Sequence, residues 1–105
     1  MGEKNFKVWL SEKDFIIVFM FTVKGRVKKY LVKYITQFEG KEIEVARFDS
    51  GHQNIYVDIL KPNGEKDRIG TFPLISENKI VDFAISEFRE HYRQYRRRMI
   101  EWLKK

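Results

Sequence analysis

The first three quarters of the chain carry the two-residue period of β-strands and the last quarter the period of a helix, with Pro73 near the change. Phe15-Ile16-Ile17-Val18-Phe19-Met20-Phe21 is an unbroken apolar run of seven residues and predicts a buried strand that continues to Val23. Lys24-Gly25-Arg26 then has the chemistry of a short hairpin connection. From Val27 to Phe38 the chain alternates, with Tyr30, Val32, Tyr34, Thr36 and Phe38 on one face and Lys29, Leu31, Lys33, Ile35 and Gln37 on the other. Glu39-Gly40-Lys41 predicts a second hairpin. Strands are expected over Glu42 to Phe48, Asn54 to Leu60 and Asp67 to Phe72, the last two divided by the turn signature Lys61-Pro62-Asn63-Gly64-Glu65-Lys66. Pro73 closes the last strand because it has no N–H to give to a ladder. Connections this short favour antiparallel neighbours.

The helical quarter is a single stripe. Val81, Ala84, Phe88, Tyr92, Tyr95, Met99 and Trp102 recur at gaps of 3, 4, 4, 3, 4 and 3. Ser76 is placed to cap the helix, with Glu77 and Asp82 near its positive end and Lys104 and Lys105 near its negative end. The stripe reads as core packing against one sheet face, while Met99, Ile100, Trp102 and Leu103 at the far end are long enough to reach past it toward a partner helix or a second copy. The prediction is one α+β domain over residues 1–105: a twisted antiparallel meander of about five strands within 6–73, with a helix over 76–103 packed on one face.

The 105 residues contain 15% aromatic and 43% hydrophobic side chains, too many for a disordered chain and enough for one core. The absence of cysteine excludes thiol catalysis and Cys-ligated zinc or iron–sulfur sites. His52 and His91 have no ligand spacing to each other, so no metal and no other cofactor is expected; the weaker alternative is a hard cation held by His52, Asp49 and Asp58. There is no Gly-rich phosphate loop and no nucleophile elbow. The apolar run is far short of the roughly 20 residues that span a bilayer, and the acidic residues before it do not suit a signal peptide, so a cytoplasmic protein, intact from its first residue and without membrane contact, is expected.

Charge changes the picture more. The net charge is +6, which favours acidic partners such as nucleic acid. Half of that excess lies in the last 30 residues, with eight basic against five acidic side chains. At about 100° per residue, Arg89, Arg93, Arg96 and Arg97 fall on one flank of the helix, and Glu87, Glu90, Gln94 and Glu101 on another. The arginine flank is a candidate phosphate-binding ridge, or else a solvated face laced with intrahelical ion pairs. Tyr92 and Tyr95 belong to the core stripe and are not assigned to base stacking. High Lys and Glu usage is compatible with a thermophile.

The densest polar segment runs from Arg47 to Asp58. Alternation sends Ile55, Val57 and Ile59 to one face and Tyr56 and Asp58 to the other. With a tight hairpin, Arg47, His52, Tyr56 and Asp58 would gather at one sheet end. That set is sufficient for metal-independent cleavage of RNA: His52 moving a proton, Arg47 stabilising charge on phosphorus, Tyr56 donating a hydrogen bond, Asp58 orienting the imidazole. The other reading of the same residues is a polar hairpin in which Asp49 and Ser50 make turn hydrogen bonds and His52 is merely exposed.

Between Val45 and Trp102 the sequence resembles a small prokaryotic family with an Arg-Tyr-Asp-x-x-His-Gly-x-x-His-x-Asp type segment and a terminal helix bearing an Asn-Trp-x-x-Tyr-Arg type motif. Arg47, Phe48, Asp49, His52 and Asp58 match the first, and Tyr92, Tyr95 and Arg96 fill the aromatic and Tyr-Arg places of the second. Such proteins are similar to TumE-type toxins, which are encoded beside a helix-turn-helix antitoxin and thought to act on RNA. The resemblance therefore implies an RNA-directed toxin, in its stronger form an RNA endonuclease, with an antitoxin partner. Tyr56 stands where the family has a second histidine, and Gln53 where it has glycine. A phenol with an ordinary pKa of about 10 is a poor acid at neutral pH, so His52 would carry most of the proton transfer. The rival expectation is a non-catalytic interaction domain that binds a helix-turn-helix partner, or forms a homodimer through its C-terminal helix.

Overall fold

A computed structural model describes residues 2–50, 55–69, 72 and 76–104 of the chain. Six strands run in chain order, β1 (Gly2–Trp9), β2 (Asp14–Val23), β3 (Arg26–Phe38), β4 (Lys41–Asp49), β5 (Val57–Leu60) and β6 (Lys66–Ile69), followed by helix α1 (Glu77–Leu103). Their spatial order is the same, β1-β2-β3-β4-β5-β6, with every neighbouring pair antiparallel. The meander with one long helix is the architecture expected.

The expectation of about five strands falls short by β1. This strand is mostly exposed and carries Glu3, Lys4, Asn5 and Lys7 between its few apolar residues, so it lacks the apolar period of a half-buried strand. It exists because β2, buried and continuous, offers it an unpaired edge from Phe15 to Thr22. At the other end, β5 spans Val57–Leu60, with Ile55 and Tyr56 before it outside the strand, and β6 spans Lys66–Ile69; Asn54, Gly70 and Thr71, within the expected strands, lie outside the described residues.

The turns explain the tight meander. Lys24 and Gly25 adopt φ of 52° and 77°, and Glu39 and Gly40 adopt 51° and 78°. Two successive left-handed residues make the hairpin turn whose twist matches the strands, and glycine at the second place removes the Cβ penalty there.

A register shift in the β3–β4 ladder lies between Tyr34 and Ile35, whose partners are Ala46 and Glu44, leaving Val45 as the extra residue. Val45 and Ala46 are both fully buried as a result. The same bulge restores Glu44 and Arg47 to one face although they are three apart, a spacing that would otherwise separate them. The two are ion-paired, with Arg47 Nε donating to Glu44 Oε2 at 2.9 Å and Lys33 Nζ 3.3 Å from Oε1 of the same carboxylate.

The helix packs over β2, β3 and β4. Ile80, Val81, Ala84, Phe88, Tyr92 and Met99 are buried against Ile16, Val18, Val32, Tyr34, Phe48 and Val57, with Tyr95, Trp102 and Leu103 packed around them. The far end of the helix thus lies on the core instead of reaching past it. Ser76 occupies the N-cap position, but its hydroxyl makes no capping bond; its carbonyl accepts from the Lys79 N–H at 2.9 Å. The helix start is tied down by Asn78, whose Oδ1 accepts the Val27 N–H at 3.2 Å. No helix among the described residues is long and apolar enough to cross a membrane.

Phe88 stands at the middle of the core, its ring centroid 5.2 Å from Phe48, 5.7 Å from Tyr34 and 5.6 Å from Tyr95. Truncating it strips contacts from β3, β4 and the helix together. Phe88→Ala is expected to lower the free energy of unfolding by about 3 to 5 kcal/mol, read from urea melts.

Candidate functional site

Asp14 is the first residue of β2 and is buried although it is a carboxylate. The β1–β2 turn folds back on it: the Leu10 and Ser11 N–H groups donate to its carbonyl at 2.8 and 3.2 Å. Its Cα partner across the ladder is Thr36, with Tyr34 the diagonal neighbour on the same face. The side chain then meets three hydroxyls. Tyr34 OH and Thr36 Oγ1 donate to Oδ1 at 2.6 and 2.7 Å, and Ser11 Oγ donates to Oδ2 at 2.6 Å. Arg96 arrives from the helix, its Nε donating to Thr36 Oγ1 at 2.9 Å and lying 3.8 Å from Asp14 Oδ1, its Nη2 donating to the Gln37 carbonyl at 3.3 Å.

Burial by itself would raise the Asp14 pKa, but the hydroxyl donors Ser11, Tyr34 and Thr36 and the Arg96 guanidinium outweigh it and hold the carboxyl below the usual range. Burial and the hydrogen bond to that anion push the Tyr34 phenol well above its ordinary value. Asp14 is thus a fixed anion and Tyr34 a fixed neutral donor. Neither is poised to exchange a proton near neutrality, so the cluster holds β1–β2, β3 and α1 together and aims Arg96.

An open cleft of about 720 Å³ lies directly over this cluster, between the β1–β2 turn and the C-terminal half of α1. Lys13, Arg93, Arg97 and Lys104 line it together with Arg96, against Asp14 and Glu101. Asp14 and Arg96 offset one another, which leaves four cations to one carboxylate. Arg93 lies over the Tyr92 ring at 4.8 Å, keeping its guanidinium along the wall. The arrangement suits a phosphate-bearing chain.

The arginine flank is therefore divided. Arg89, Arg93 and Arg97 are exposed, whereas Arg96 turns inward to the Asp14 cluster. Glu101, expected on another flank, lies beside Arg97 in the cleft because i and i+4 share a face. Lys13, Ser11 and Asp14 were missed from sequence. Their one signal is a carboxylate at the head of an apolar run; what joins it to Thr36 and Arg96 is register and helix azimuth.

The Arg47-to-Asp58 set is only partly described. Arg47 and Asp58 are Cα partners across β4–β5 and so share the sheet face away from the helix. Arg47 is engaged by Glu44. Asp58 is buried and accepts from Arg68 Nε at 3.0 Å, and the Arg68 guanidinium sits 5.2 Å from the Tyr56 ring centroid. The hydrogen bond to Asp58 is the largest influence raising the Arg68 pKa. Arg68 and Glu44 are thus neighbours that sequence reasoning did not include. His52 lies outside the described residues. Ser50 bonds across to β3 and not within its own turn, its Oγ accepting the Tyr30 N–H at 3.2 Å.

The whole chain, residues 1–105, matches the family described as a domain of unknown function, DUF7718. The chain belongs to the DUF7718 family. No curated protein and no solved structure matches it. For this DUF7718 chain, the Asp14 cluster and the cleft above it are the candidate site.

The buried carboxylate has a defined pH signature. Its folded-state pKa is depressed, so its contribution is complete above about pH 4 and is lost as the pH falls through the folded value. Asp14→Asn is expected to cost about 2 to 3 kcal/mol at neutral pH, with the difference from wild type shrinking toward zero as the pH falls through the folded value of Asp14, where both side chains become neutral. Urea melts of the two proteins across that range read the effect directly.

Proposed function

We propose that the protein is an RNA-binding protein of the toxin-like kind, which takes the phosphate backbone of a single strand into the cleft between the β1–β2 turn and α1. The observation that carries this reading is the lining: Lys13, Arg93, Arg97 and Lys104 around an Arg96 fixed from beneath. Among the described residues, Arg93, Arg97, Lys13 and Lys104 form no ion pair, so their charge is available to a ligand. The volume lies within the roughly 300 to 1,000 Å³ of ordinary ligand sites. Contacts of this kind position a backbone without reading bases, so binding is salt-dependent and tolerant of sequence. RNA, as opposed to DNA, comes from the family resemblance, as does the further step of cleavage, for which Arg47, His52, Tyr56 and Asp58 are the candidate groups.

Fluorescence anisotropy with a labelled single-stranded RNA, titrated between about 50 and 200 mM salt, tests the cleft. Three or four phosphate contacts give a slope of log K against log salt of about −2 to −3, and Arg93→Ala with Arg97→Ala together flatten it by about 1.4. Arg89→Ala, on the same flank but outside the cleft, leaves the slope unchanged; an equal loss from Arg89→Ala would assign binding to the whole flank and not to the cleft. RNA that is degraded by the wild type and left intact by His52→Ala adds the catalytic step, and equal integrity with both proteins removes it.

A further inference from the structure

Strand β1 ends the sheet, and among the described residues nothing pairs with its outer edge. It is eight residues long, against four for β6 at the opposite edge. A long, unbroken edge is a template for another strand unless something blunts it. Here β1 has no proline and its ladder to β2 has no register shift.

The backbone direction at this edge is set by the turn that follows. Leu10 N–H donates to the Asp14 carbonyl at 2.8 Å, which makes Leu10 and Asp14 a hydrogen-bonded pair. Alternation along the antiparallel ladder then turns the backbone groups of Val8, Phe6, Lys4 and Gly2 toward β2. Those of Trp9, Lys7, Asn5 and Glu3 point outward, unpaired.

We infer that β1 pairs antiparallel with β1 of a second copy of this chain, about a two-fold axis through Asn5. Centring at Asn5 sets Glu3 of each copy opposite Lys7 of the other, so opposite charges meet twice on one face. Centring at Glu3, Lys4 or Lys7 instead sets like charges against each other at the axis, and centring at Phe6 leaves Glu3 opposite Trp9 and forms no ion pair. Outward-facing residues meet outward-facing residues in the Asn5 register, as the ladder requires. Lys7 lies over the rings of Trp9 and Phe15, at 5.1 and 4.3 Å from their centroids, which holds its ammonium on the face where the partner's glutamate arrives.

The other face of β1 supplies the second observation. Phe6 is opposite Val18 and so lies on the helix side, yet it remains 39% exposed, at the sheet edge beyond β2, β3 and β4, on which α1 packs. In the Asn5 register the two Phe6 rings are diagonal neighbours, a relation within reach of aromatic side chains. The axis is normal to the sheet, so both helices lie on one side of a continuous sheet of twelve strands and do not collide.

Sedimentation equilibrium of the full chain tests the pairing. The wild type is expected at the mass of two copies. Asn5→Pro is expected to be monomeric, with the wild-type urea midpoint when both are melted at concentrations low enough for both to be monomers, because the N–H it removes faces away from β2. Glu3→Lys weakens association about tenfold by setting lysine against lysine twice, and adding Lys7→Glu restores it. A wild type that stays monomeric at roughly 100 µM, or a dimer indifferent to Asn5→Pro, overturns the inference. A double variant as weak as Glu3→Lys alone overturns the register.

Discussion

The Asp14 carboxylate is the point at which the separate parts of this molecule are tied together. It sits buried at the head of β2, where an unpaired charge would be strongly unfavourable, and the fold surrounds it with three hydroxyls and a guanidinium. The four groups come from three places: Ser11 from the β1–β2 turn, Tyr34 and Thr36 from β3, Arg96 from the helix. Satisfying one anion thus sets the turn, the β2–β3 register and the rotation of α1 at once. A hydrophobic replacement would pack, but it would not specify which face of the helix comes to rest over β3.

That rotation has a functional consequence. With Arg96 drawn inward, its neighbours three behind and one ahead, Arg93 and Arg97, are left along the rim beside Lys13. A basic helix flank becomes a concave basic surface with a floor, and concavity is what concentrates field lines toward a ligand. The polar cluster that stabilises the fold and the cationic cleft are two sides of one arrangement. The second polar region, on the opposite sheet face, is organised differently: there Arg47 and Asp58 are each engaged by a strand neighbour, Glu44 and Arg68. Its cations and anions alternate and neutralise each other, which marks a different electrostatic character from the cleft.

The sheet divides in the same way. From β3 to β6 its outer face is laced with ion pairs, Lys33 with Glu44 and Arg68 with Asp58. Toward β1 it becomes aromatic and aliphatic, with Trp9 and Ile17 exposed. The asymmetry follows from β1 being added to an already complete buried strand: it needs few apolar residues of its own to be held.

The strand-and-helix plan was legible in the residues themselves, because alternation in Val27 to Phe38, the glycine turns and the stripe from Val81 to Trp102 are local signals set by backbone geometry. Local signals also placed Tyr34 and Thr36 on one face and the arginines on one flank. They did not reveal β1, whose pairing depends on a neighbour and not on its own pattern. Nor did they reveal the bulge at Val45 or the inward turn of Arg96. Those features depend on which residues face each other across strands and how the helix is rotated, quantities without a period in the chain. Sequence alone therefore determined the helix, every strand but β1, their faces and the excess of positive charge. Tertiary structure decided where that charge is concave, because only packing brings Asp14 to Thr36 and Thr36 to Arg96, 22 and 60 residues apart, within hydrogen-bonding distance.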